Sequence, residues 1–551
     1  MRLNTGSRPW HRHYGPGVST DFVPPETTLV EMVTGAFETH SDRVLIEYYG
    51  QSFTYAEMRT LVARVAAALR ARGIQKGDRV ALHLPNCPWH PIFFYGAITA
   101  GAAVTHLSPL DADREIAFKV KECGAKLVVS LTTPELCRHF EPLLASGEVP
   151  DLVLCPDPVS AKGRDCPVQE GAIPLEVFWA EHEGAPYEPE TVTPDDIALL
   201  QFTGGTTGLP KAAMLTHSNL TAAVHMYHEG MKLEPNSGPG KPALIYSPLF
   251  HIMGLTTALL KRTFEGGTLH LRLRYDPDEA VKEIEEKRIC SFGGVPTLWI
   301  ALLQVPGIEK RDLSSLKYAA SGGAPLPVEV YQRVKQLTGL KLRGGWGMTE
   351  TSPAGTNVPM GMPDNKLGTI GIPLPGVDLK IVDVDNPHRE LAPGERGEMA
   401  ISGPNVTKGY WNRPDENAAA FCDGWFLTGD IGYMDEDGYF YLVDRKKDMI
   451  LSGGFNVYPV VIENAVHQHP DIAEAMAIGV PDAYRGESAK VFVRLRAGAG
   501  QFTLDDLQAF LSDKLGRHEI PRFLEFREEL PHTPVGKADR KALKAEEASR
   551  G

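Results

Sequence analysis

The chain has 551 residues, which is too long for one ordinary hydrophobic core and predicts several lobes or domains. Its 56 Lys and Arg residues stand against 70 Asp and Glu residues, a formal net charge of −14. This excess of negative charge argues against sequence-independent binding of nucleic acid and favours a protein that acts on small molecules. The seven cysteines are scattered without Cys-x-x-Cys spacing, as expected for reduced thiols in the cytoplasm.

Membrane insertion and export are not expected from this sequence. The N-terminal stretch MRLNTGSRPWHRHYGPG carries basic residues but no apolar segment behind them. No later run approaches the roughly 20 apolar residues that cross a bilayer. A homodimer and a transient contact with a membrane surface stay compatible with the sequence, although no basic amphipathic helix favours the latter.

Short β-rich runs alternate with amphipathic helical segments along most of the chain. Helices are predicted at 54–73 and 276–288. Strands are predicted at 77–84, 125–130, 196–202, 243–249, 288–294, 316–323 and 341–346. This alternation predicts an α/β fold with parallel-rich sheets and crossover helices, in which ligands bind beyond the carboxyl ends of the strands.

The pattern changes after about residue 375. Segments 377–387, 394–403 and 438–450 have the alternation of antiparallel strands joined by turns, which predicts a small β-barrel-like subdomain. A compact α+β pattern begins at 458–480. We place the domain boundary in the basic turn DRKKD, so that residues 1–446 form the N-terminal domain and residues 447–551 form the C-terminal domain.

The stretch LLQFTGGTTGLPKAAMLTH, from Leu199 to His217, has the composition of a phosphate-binding loop. Leu209 and Pro210 separate its last glycine from Lys211, which excludes a Walker A loop, and the glycine spacing also fails the Gly-x-Gly-x-x-Gly pattern. Glycines let backbone N–H groups approach phosphate oxygens, threonine hydroxyls donate hydrogen bonds, and lysine adds a cation. The candidate phosphate ligands are Thr203, Gly204, Gly205, Thr206, Thr207, Gly208 and Lys211. Taken alone, the composition favours a phosphate-binding loop over the alternative, a hydrophilic turn after a strand.

Six further segments match one family in the same order along the chain. They are SPLFHIMGL (247–255), SGGAPL (321–326), GWGMTE (345–350), GYWNRPDENAAAFCDGWFLTGD (409–430), DRKKDMILSGGFNVYP (444–459) and PHTPVGKADR (531–540). With the Gly/Thr loop, they resemble the adenylate-forming superfamily of acyl-CoA synthetases, firefly luciferase and peptide-synthetase adenylation domains. The resemblance extends from roughly residue 50 to 545 and implies ATP, Mg²⁺ and coenzyme A as cofactors.

The resemblance assigns the nucleotide contacts residue by residue. Glu350 and Thr206 are the expected Mg²⁺ ligands, since a hard cation takes oxygen donors. Asp430 is expected to accept the ribose hydroxyls, and Arg445 to contact ribose and phosphate. Backbone groups from Gly322, Gly323, Ala324 and Pro325 and the segment with Trp346, Gly347 and Thr349 complete the predicted site. Trp346 stands where the family often has Tyr, and either ring can stack on adenine.

A two-step reaction follows from the same resemblance. The carboxylate of an acid attacks the α-phosphate of ATP, and Lys537 is the lysine expected to stabilise the charge that builds there. In the family, the mobile C-terminal domain then rotates about a hinge, placed here at Lys447, and brings Gly453 and Gly454 beside the path of pantetheine. Glycines suit such a path because a side chain would block a thin ligand. Ala212 stands where the family usually has Gly, which is tolerable if its backbone φ is negative.

The acid is expected to be a small-molecule carboxylic acid with an apolar body. The segment that holds the amine in peptide-synthetase adenylation domains offers Phe250 and His251 here and no carboxylate, so an amino acid is disfavoured. The predicted acid-binding residues are His251, Met253, Phe292, Gly294 and Met348, and His251 also completes the predicted catalytic set of Lys537, Glu350 and Thr206.

Finer resemblances in the N-terminal RPWHRHYGPGV and the Gly-Gly pair favour a medium- or long-chain fatty acid, whereas GWGMTETSP resembles ligases for shorter acids. A short-chain or aryl acid is therefore the first alternative. An acyl-AMP ligase loading a carrier protein, a luciferase-like oxidative enzyme and an inactive nucleotide-binding protein are the others.

Overall fold

Two compact units make up the chain. The computed structural model describes residues 8–157, 171–180, 190–203, 210–322, 328–452, 455–482, 484–532 and 538–550. The first unit comprises Met1–Asp378 and Ser402–Phe421, and the second comprises Leu379–Ile401 and Cys422–Gly551. The chain therefore leaves the first unit, returns to it for one short segment and leaves again. The predicted boundary between residues 446 and 447 stays a prediction.

A seven-stranded sheet occupies the first unit. It contains β3 (Arg79–Leu82), β4 (Ala103–His106), β5 (Ala125–Leu131), β6 (Asp151–Cys155), β7 (Ala172–Pro174), β8 (Ile197–Thr203) and β9 (Lys211–Thr216) in the order β7-β6-β5-β3-β4-β8-β9. All neighbours are parallel except β8 and β9, which form an antiparallel hairpin. The predicted phosphate loop connects these two strands.

A six-stranded sheet forms the other half of the first unit. It contains β1 (Val44–Tyr48), β2 (Gln51–Thr54), β10 (Pro242–Ile245), β11 (Thr268–Leu271), β12 (Ser291–Gly294) and β13 (Tyr318–Ser321) in the order β13-β12-β10-β11-β1-β2. Only β1 and β2 are antiparallel. A short pair, β14 (Thr356–Asn357) and β15 (Ile372–Pro373), follows. The predicted parallel-rich α/β fold is confirmed.

Helices cover these sheets on both faces. They are α1 (Leu29–Thr39), α2 (Tyr55–Ala71), α3 (Trp89–Thr99), α4 (Asp113–Cys123), α5 (Pro134–Cys137), α6 (Phe140–Ala145), α7 (Leu175–Ala180), α8 (His217–Met231), α9 (Lys261–Glu265), α10 (Pro277–Glu286), α11 (Pro296–Leu302), α12 (Val328–Thr338) and α13 (Pro414–Ala420). A π-helical turn, Gly254–Leu260, precedes α9. The predicted amphipathic helices correspond to α2 and α10, and α2 begins at a capping box in which Thr54 and Glu57 bond each other's backbone N–H.

The largest core lies between the inner faces of the two sheets. Helices α1, α2, α3 and α8 pack there, and α3 is buried along nearly its whole length because its sequence WHPIFFYGAIT is apolar on every face. A second core covers the outer face of the seven-stranded sheet with α4 and α6, and a third covers the outer face of the six-stranded sheet with α10, α11 and α12. No helix within the described residues is long and apolar enough to cross a membrane.

The second unit contains two smaller sheets. The first is formed by β16 (Asp378–Val382), β17 (Gly397–Ser402), β18 (Phe421–Cys422), β19 (Trp425–Met434) and β20 (Phe440–Arg445). The second is formed by β21 (Ile450–Ser452), β22 (Phe455–Val457), β23 (Ile472–Asp482), β24 (Gly486–Leu495) and β25 (Phe523–Phe526), with α14 (Pro459–Val466), α15 (Leu504–Leu511) and α16 (Arg540–Arg550). The antiparallel segments predicted after residue 375 correspond to β16, β17 and β20.

The strand predicted at 341–346 was wrong. Only Arg343 pairs with β13, through a single bridge to Ala320. The backbone of this segment bonds instead to β14 and the residue after it, with Thr356 N–H donating to the Trp346 carbonyl over 2.8 Å and Val358 N–H donating to the Gly344 carbonyl over 2.8 Å. Its consecutive glycines permit this close approach but leave no side chains to pack as a regular strand.

Asp444 is a buried carboxylate at the end of β20. It accepts hydrogen bonds from the backbone N–H groups of Arg445 and Val460, each 2.8 Å long, and the second of these belongs to the first turn of α14. The guanidinium of Arg540 lies 3.9 Å away. Burial outweighs these favourable contacts and raises the pKa of Asp444 to about 6.

Replacing Asp444 with Asn should change how stability depends on pH. The pKa is raised in the folded protein, so the folded state retains this proton at pH values where the unfolded chain has lost it. Stability from this group is complete below the unfolded pKa of 3.8 and is lost as pH rises through about 6. Relative to the wild type, Asp444→Asn should therefore gain up to about 3 kcal/mol of unfolding free energy between about pH 4 and about pH 7.

Denaturant unfolding at a series of pH values measures this difference. Asp385→Asn provides the control, because it makes the same change at an exposed carboxylate of the same unit. The hydrogen bonds that Asn cannot accept shift the Asp444→Asn difference at every pH, so only its slope is diagnostic. A flat difference would contradict the raised pKa.

Candidate functional site

The β8–β9 hairpin fixes both ends of the predicted phosphate loop. Thr203 ends β8, Lys211 begins β9, and the two residues are register partners, with the Thr203 hydroxyl donating to the Lys211 carbonyl over 3.4 Å. Ala212 is buried in β9 opposite Phe202, and its φ is not positive. The expectation that a methyl group is tolerated there is confirmed.

Several predicted residues cannot be placed. Gly204, Gly205, Thr206, Thr207, Gly208, Gly323, Ala324, Pro325, Gly453, Gly454 and Lys537 lie outside the described residues. Their roles stay predictions, and the geometry below concerns the residues around them.

Lys211 belongs to a small charged cluster in the first unit. Its ammonium lies 2.7 Å from a carboxylate oxygen of Glu416 in α13 and 5.3 Å from the centre of the Tyr410 ring. Tyr410 reaches this position because its segment runs beside β9, through a bridge to Ala213. The half-exposed ammonium of Lys211, at the start of β9, is thus held by the Glu416 carboxylate and the face of the Tyr410 ring.

Tyr410 also holds Glu350. Its hydroxyl donates to Glu350 Oε1 over 2.7 Å, and burial raises the pKa of Tyr410 well above its usual range, so the hydroxyl stays protonated. Glu350 is buried and lies in a single 3₁₀ turn, Thr349–Thr351. The arrangement presents an oriented carboxylate with hard oxygen donors, which fits a Mg²⁺ ligand.

The segment that returns to the first unit locks this turn in place. The buried Asn405 donates through its side-chain amide to the carbonyls of Thr351 and Ala354, and Ser352 Oγ donates back to the Asn405 carbonyl over 2.9 Å. The backbone N–H of Thr407 donates to the Glu350 carbonyl over 2.7 Å. The backbone that carries Glu350 is therefore held by hydrogen bonds from the same returning segment that supplies Tyr410.

Trp346 and Gly347 precede the turn that carries Glu350. Trp346 is buried, and its backbone N–H donates to Thr356 Oγ1 over 3.0 Å. At Gly347 a β-carbon would lie only 1.4 Å from the carbonyl oxygen of Pro353. The chain needs glycine at position 347 for its own packing, independently of any ligand.

Two residues predicted for the acid pocket, Met253 and Gly294, lie near Gly322, which was predicted for the nucleotide, at the ends of β12 and β13. The backbone N–H of Gly322 donates to the Gly294 carbonyl over 3.2 Å, and a β-carbon on Gly322 would lie 3.7 Å from the sulfur of Met253. Met253 and Gly322 thus lie close to each other beyond the carboxyl end of β13, in the region where ligands of α/β proteins bind.

Phe292 and Met348 lie in different surroundings. Phe292 is buried in the core beneath the six-stranded sheet, 4.9 Å from the Trp299 ring centre. Met348 is half-buried, and its backbone N–H donates to Thr351 Oγ1 over 3.0 Å within the turn that carries Glu350. The structure thus joins Gly322 to Gly294 by a hydrogen bond and places Met253 beside Gly322, whereas Phe292 lies in the core.

Polar side chains that the sequence analysis did not select hold the segment before His251. The side-chain amide nitrogen of Gln201 donates to the Phe250 carbonyl over 3.1 Å, and its Oε1 accepts from His106 Nδ1 over 2.9 Å. Burial lowers the pKa of His106 to about 4, and the nearby His251 acts in the same direction, so His106 is neutral at physiological pH. His251 itself is exposed.

Asn86 fixes the start of the same segment. Its side-chain amide donates to the carbonyls of Tyr246, Ser247 and Arg272, and its Oδ1 accepts the Leu249 N–H over 2.9 Å. These bonds end β10 at Ile245, earlier than the predicted 243–249 strand. A polar residue inside an apolar run, such as Gln201 in LLQF, is the sequence signal that could have found these residues.

The second unit contains a separate group around Asp430. This carboxylate is completely buried on β19, and its Oδ1 lies 2.6 Å from Arg445 Nε on the paired strand β20. The Arg445 side chain is 44% exposed, so its guanidinium reaches solvent while its Nε faces Asp430. The pair combines an oxygen acceptor with an accessible cation, which suits a ribose and phosphate contact.

Glu398 supports this group from β17. Its buried carboxylate accepts the Gly429 N–H over 2.9 Å and lies 2.8 Å from the ammonium of Lys446. Thr428 Oγ1 donates to the Met399 carbonyl over 2.7 Å. Beside them, burial lowers the pKa of Lys447 at the predicted hinge, and the charge of Arg445 adds to this effect.

Two families match the chain. The AMP-binding enzyme family matches residues 34–411, and the AMP-binding enzyme C-terminal domain matches residues 461–537. The first match covers the hairpin, the Glu350 turn and the return of the chain beside β9, and the second covers most of the C-terminal α+β region.

Individual proteins resemble the chain over nearly its full length. A long-chain-fatty-acid–CoA ligase of Bacillus subtilis (strain 168) is 38% identical, covering 98% of each chain. A feruloyl-CoA synthase of an Amycolatopsis species is 36% identical, covering 89% of this chain and 93% of that protein. The structure of ATP-bound MatB from Rhodopseudomonas palustris covers 95% of this chain and 100% of its own, with 28% identity and a TM-score of 0.84. These matches confirm the resemblance that the motifs predict: the chain belongs to the AMP-binding enzyme family, as an ATP-dependent acid–CoA ligase.

Proposed function

We propose that this ligase activates a medium- or long-chain fatty acid. The observation that carries the proposal is the position of Met253 beside Gly322, where a β-carbon would lie 3.7 Å from the Met253 sulfur, in a segment, 247–255, that contains no carboxylate. A segment that offers a thioether and no partner for an ammonium group suits an acid with a hydrocarbon body. The name of the Bacillus subtilis relative supports the same substrate class, and the feruloyl-CoA synthase supports an aryl acid as the second candidate.

The proposed reaction has two balanced steps. A carboxylate oxygen of the acid bonds to the α-phosphorus of ATP, and the bond from that phosphorus to pyrophosphate breaks. The sulfur of coenzyme A then bonds to the acyl carbon, the bond from this carbon to the AMP oxygen breaks, and the thiol proton passes to solvent. The first step needs no general base because a carboxylic acid is already ionised at neutral pH.

Each unit supplies a defined set of groups for these steps. In the first unit, Lys211 and Thr203 flank the loop proposed to hold the terminal phosphates, and Trp346 provides an aromatic surface for adenine. In the second unit, Asp430 accepts the ribose hydroxyls and Arg445 contacts ribose and phosphate. Lys537 stabilises the charge at the α-phosphate, and Gly453 and Gly454 give passage to the thiol arm.

Glu350 and Thr206 are the two proposed Mg²⁺ ligands, and of these Glu350 lies within the described residues. The ion would supply positive charge to the phosphate oxygens. Tyr410 orients the Glu350 carboxylate with a hydrogen bond, and Asn405 and Thr407 hold its backbone. We place the reaction in the cytoplasm, while a homodimer and a transient membrane contact stay predictions.

An acid panel tests the substrate class. With ATP, Mg²⁺ and coenzyme A, pyrophosphate release and thioester formation should both be fastest with fatty acids of medium or long chain, compared with short-chain acids, ferulic acid and amino acids. Omitting coenzyme A should abolish the thioester but leave a single turnover of pyrophosphate release. Preference for ferulic acid would establish the aryl alternative, and acid-dependent pyrophosphate without any thioester would overturn the coenzyme A acceptor.

Replacing Lys537 should separate the two half-reactions. Lys537→Ala should slow adenylation by about 10²–10³, the typical effect of losing one preorganised charge-stabilising group, and should leave thioester formation from supplied acyl adenylate within a few-fold of the wild type. Lys541→Ala is the matched control, because Lys541 is an exposed lysine at the start of α16. Equal losses in both half-reactions of Lys537→Ala would show that its role is misassigned.

Removing the Tyr410 hydroxyl should weaken the binding of magnesium. Tyr410→Phe leaves Glu350 without its orienting hydrogen bond, so the Mg²⁺ concentration for half-maximal adenylation should rise by about 10-fold or more, as for other lost partners of metal ligands. The maximal rate should recover at high Mg²⁺, since the ligand itself remains.

Tyr331→Phe provides the control for this variant. Tyr331 is buried in the same unit, and its hydroxyl has no hydrogen-bond partner among the described residues. Its magnesium dependence should match the wild type. If the magnesium requirement of Tyr410→Phe is unchanged, the proposal that Tyr410 positions Glu350 as a metal ligand is wrong.

A further inference from the structure

A cluster of metal-ligating side chains lies in the second unit and includes none of the groups assigned to the reaction. It consists of His388, Cys422 and Asp423, hereafter the His388 cluster. His388 follows β16 in the loop that leads to β17, whereas Cys422 ends β18 and Asp423 begins the turn to β19. Imidazole, thiol and carboxylate are the three side-chain types that bind Zn²⁺ in proteins.

The donor atoms of this cluster converge. His388 Nδ1 lies 2.8 Å from Asp423 Oδ2, and Cys422 Sγ lies 3.5 Å from His388 Nδ1. One donor atom from each residue lies within 4.8 Å of the other two. The side chains of His388 and Asp423 are largely exposed, 68% and 66%, so an ion can reach them from solvent.

These separations resemble those around a tetrahedral metal ion. Bond lengths of about 2.3 Å for zinc–sulfur and about 2.0 Å for zinc–nitrogen place two such ligands about 3.6 Å apart. The observed separation between Cys422 Sγ and His388 Nδ1 is 3.5 Å. The hydrogen-bonded His388 and Asp423 atoms would have to separate by about 0.6 Å, which two exposed side chains can do by small rotations.

A second group of convergent donor atoms is already occupied by a positively charged side chain. Glu47, His270 and Glu283 in the first unit also bring three donor atoms together. There the guanidinium of Arg272 lies 2.5 Å from each of the two carboxylates and already supplies the positive charge. In the His388 cluster no guanidinium of the described residues is shown between the donor atoms: His388 and Asp423 share a hydrogen bond, and a metal ion can take the place of its proton.

We propose that His388, Cys422 and Asp423 form a binding site for a divalent transition metal ion of the Zn²⁺ class, with water as the remaining ligand. The thiolate and imidazole select such an ion over Mg²⁺ and Ca²⁺, which prefer oxygen donors. The bound ion links the 383–390 loop to the turn between β18 and β19, and β19 is the strand that carries Asp430. The site also shields Cys422, the one cysteine of the described residues that is not buried.

Cobalt(II) is the probe that tests the site. Co²⁺ is titrated into the full-length, tag-free protein without nucleotide or Mg²⁺, and the absorption spectrum is recorded. Because a thiolate bound to Co²⁺ gives a sulfur-to-metal charge-transfer band, one equivalent should produce this band together with visible bands of tetrahedral cobalt. Adding Zn²⁺ should then remove both sets of bands.

Variants assign the signal to the cluster. Cys422→Ser should abolish the charge-transfer band, and His388→Ala and Asp423→Asn should each weaken Co²⁺ binding by at least about 10-fold, since losing a ligand costs no less than losing its outer partner. Asp385→Asn, which removes an exposed carboxylate from the same loop, should bind as the wild type does. A charge-transfer band that persists in Cys422→Ser, or no band in the wild type, would overturn the proposal.

A second measurement does not depend on cobalt. Zn²⁺ should slow the labelling of Cys422 by a maleimide, followed by mass spectrometry of the peptide that contains it, and His388→Ala should remove this protection. Equal labelling rates of wild-type Cys422 with and without Zn²⁺ would also overturn the proposal.

Discussion

The hydrogen bond from Tyr410 to Glu350 joins two parts of the chain that are 60 residues apart. It exists because the chain leaves the first unit after Asp378 and then returns to it at Ser402–Phe421. The same returning segment supplies Asn405, which bonds the backbone around the Glu350 turn, and Glu416, which pairs with Lys211. The proposed metal ligand and the lysine at the phosphate loop therefore depend on one excursion of the chain, and neither could be positioned by its own local sequence.

Sequence alone predicted those parts of the fold that follow from local pattern. Apolar runs ending in Gly or Thr located β8 and β12, and the motifs at their ends identified Thr203, Lys211 and Gly294 as residues at a sheet edge. Tyr410, Asn405 and Gln201 were missed because each acts through hydrogen bonds to groups that are distant in sequence, for which no periodicity exists. The segment 341–346 was misread because its glycines allow close backbone packing that resembles a strand only in composition.

Three buried carboxylates in the second unit differ in the charge of their nearest partner. Asp430 lies 2.6 Å from the guanidinium of Arg445, and Glu398 lies 2.8 Å from the ammonium of Lys446, so each faces a full positive charge at contact distance. Asp444 relies on two backbone N–H groups, with its nearest guanidinium 3.9 Å away. At Asp444 burial raises the pKa to about 6, because partial charges at contact and a full charge 3.9 Å away offset only part of the cost of burial.

Gly347 lies inside a motif that resembles a nucleotide-binding element, yet its lack of a side chain is required by the carbonyl of Pro353, only 1.4 Å from where a β-carbon would lie. Selection at this position would act on folding before any ligand is encountered. Conservation of this glycine among related proteins would consequently carry little information about adenine recognition. A catalytically silent descendant would be expected to retain Gly347 after it had lost Glu350, so the motif can outlive the activity with which it is associated.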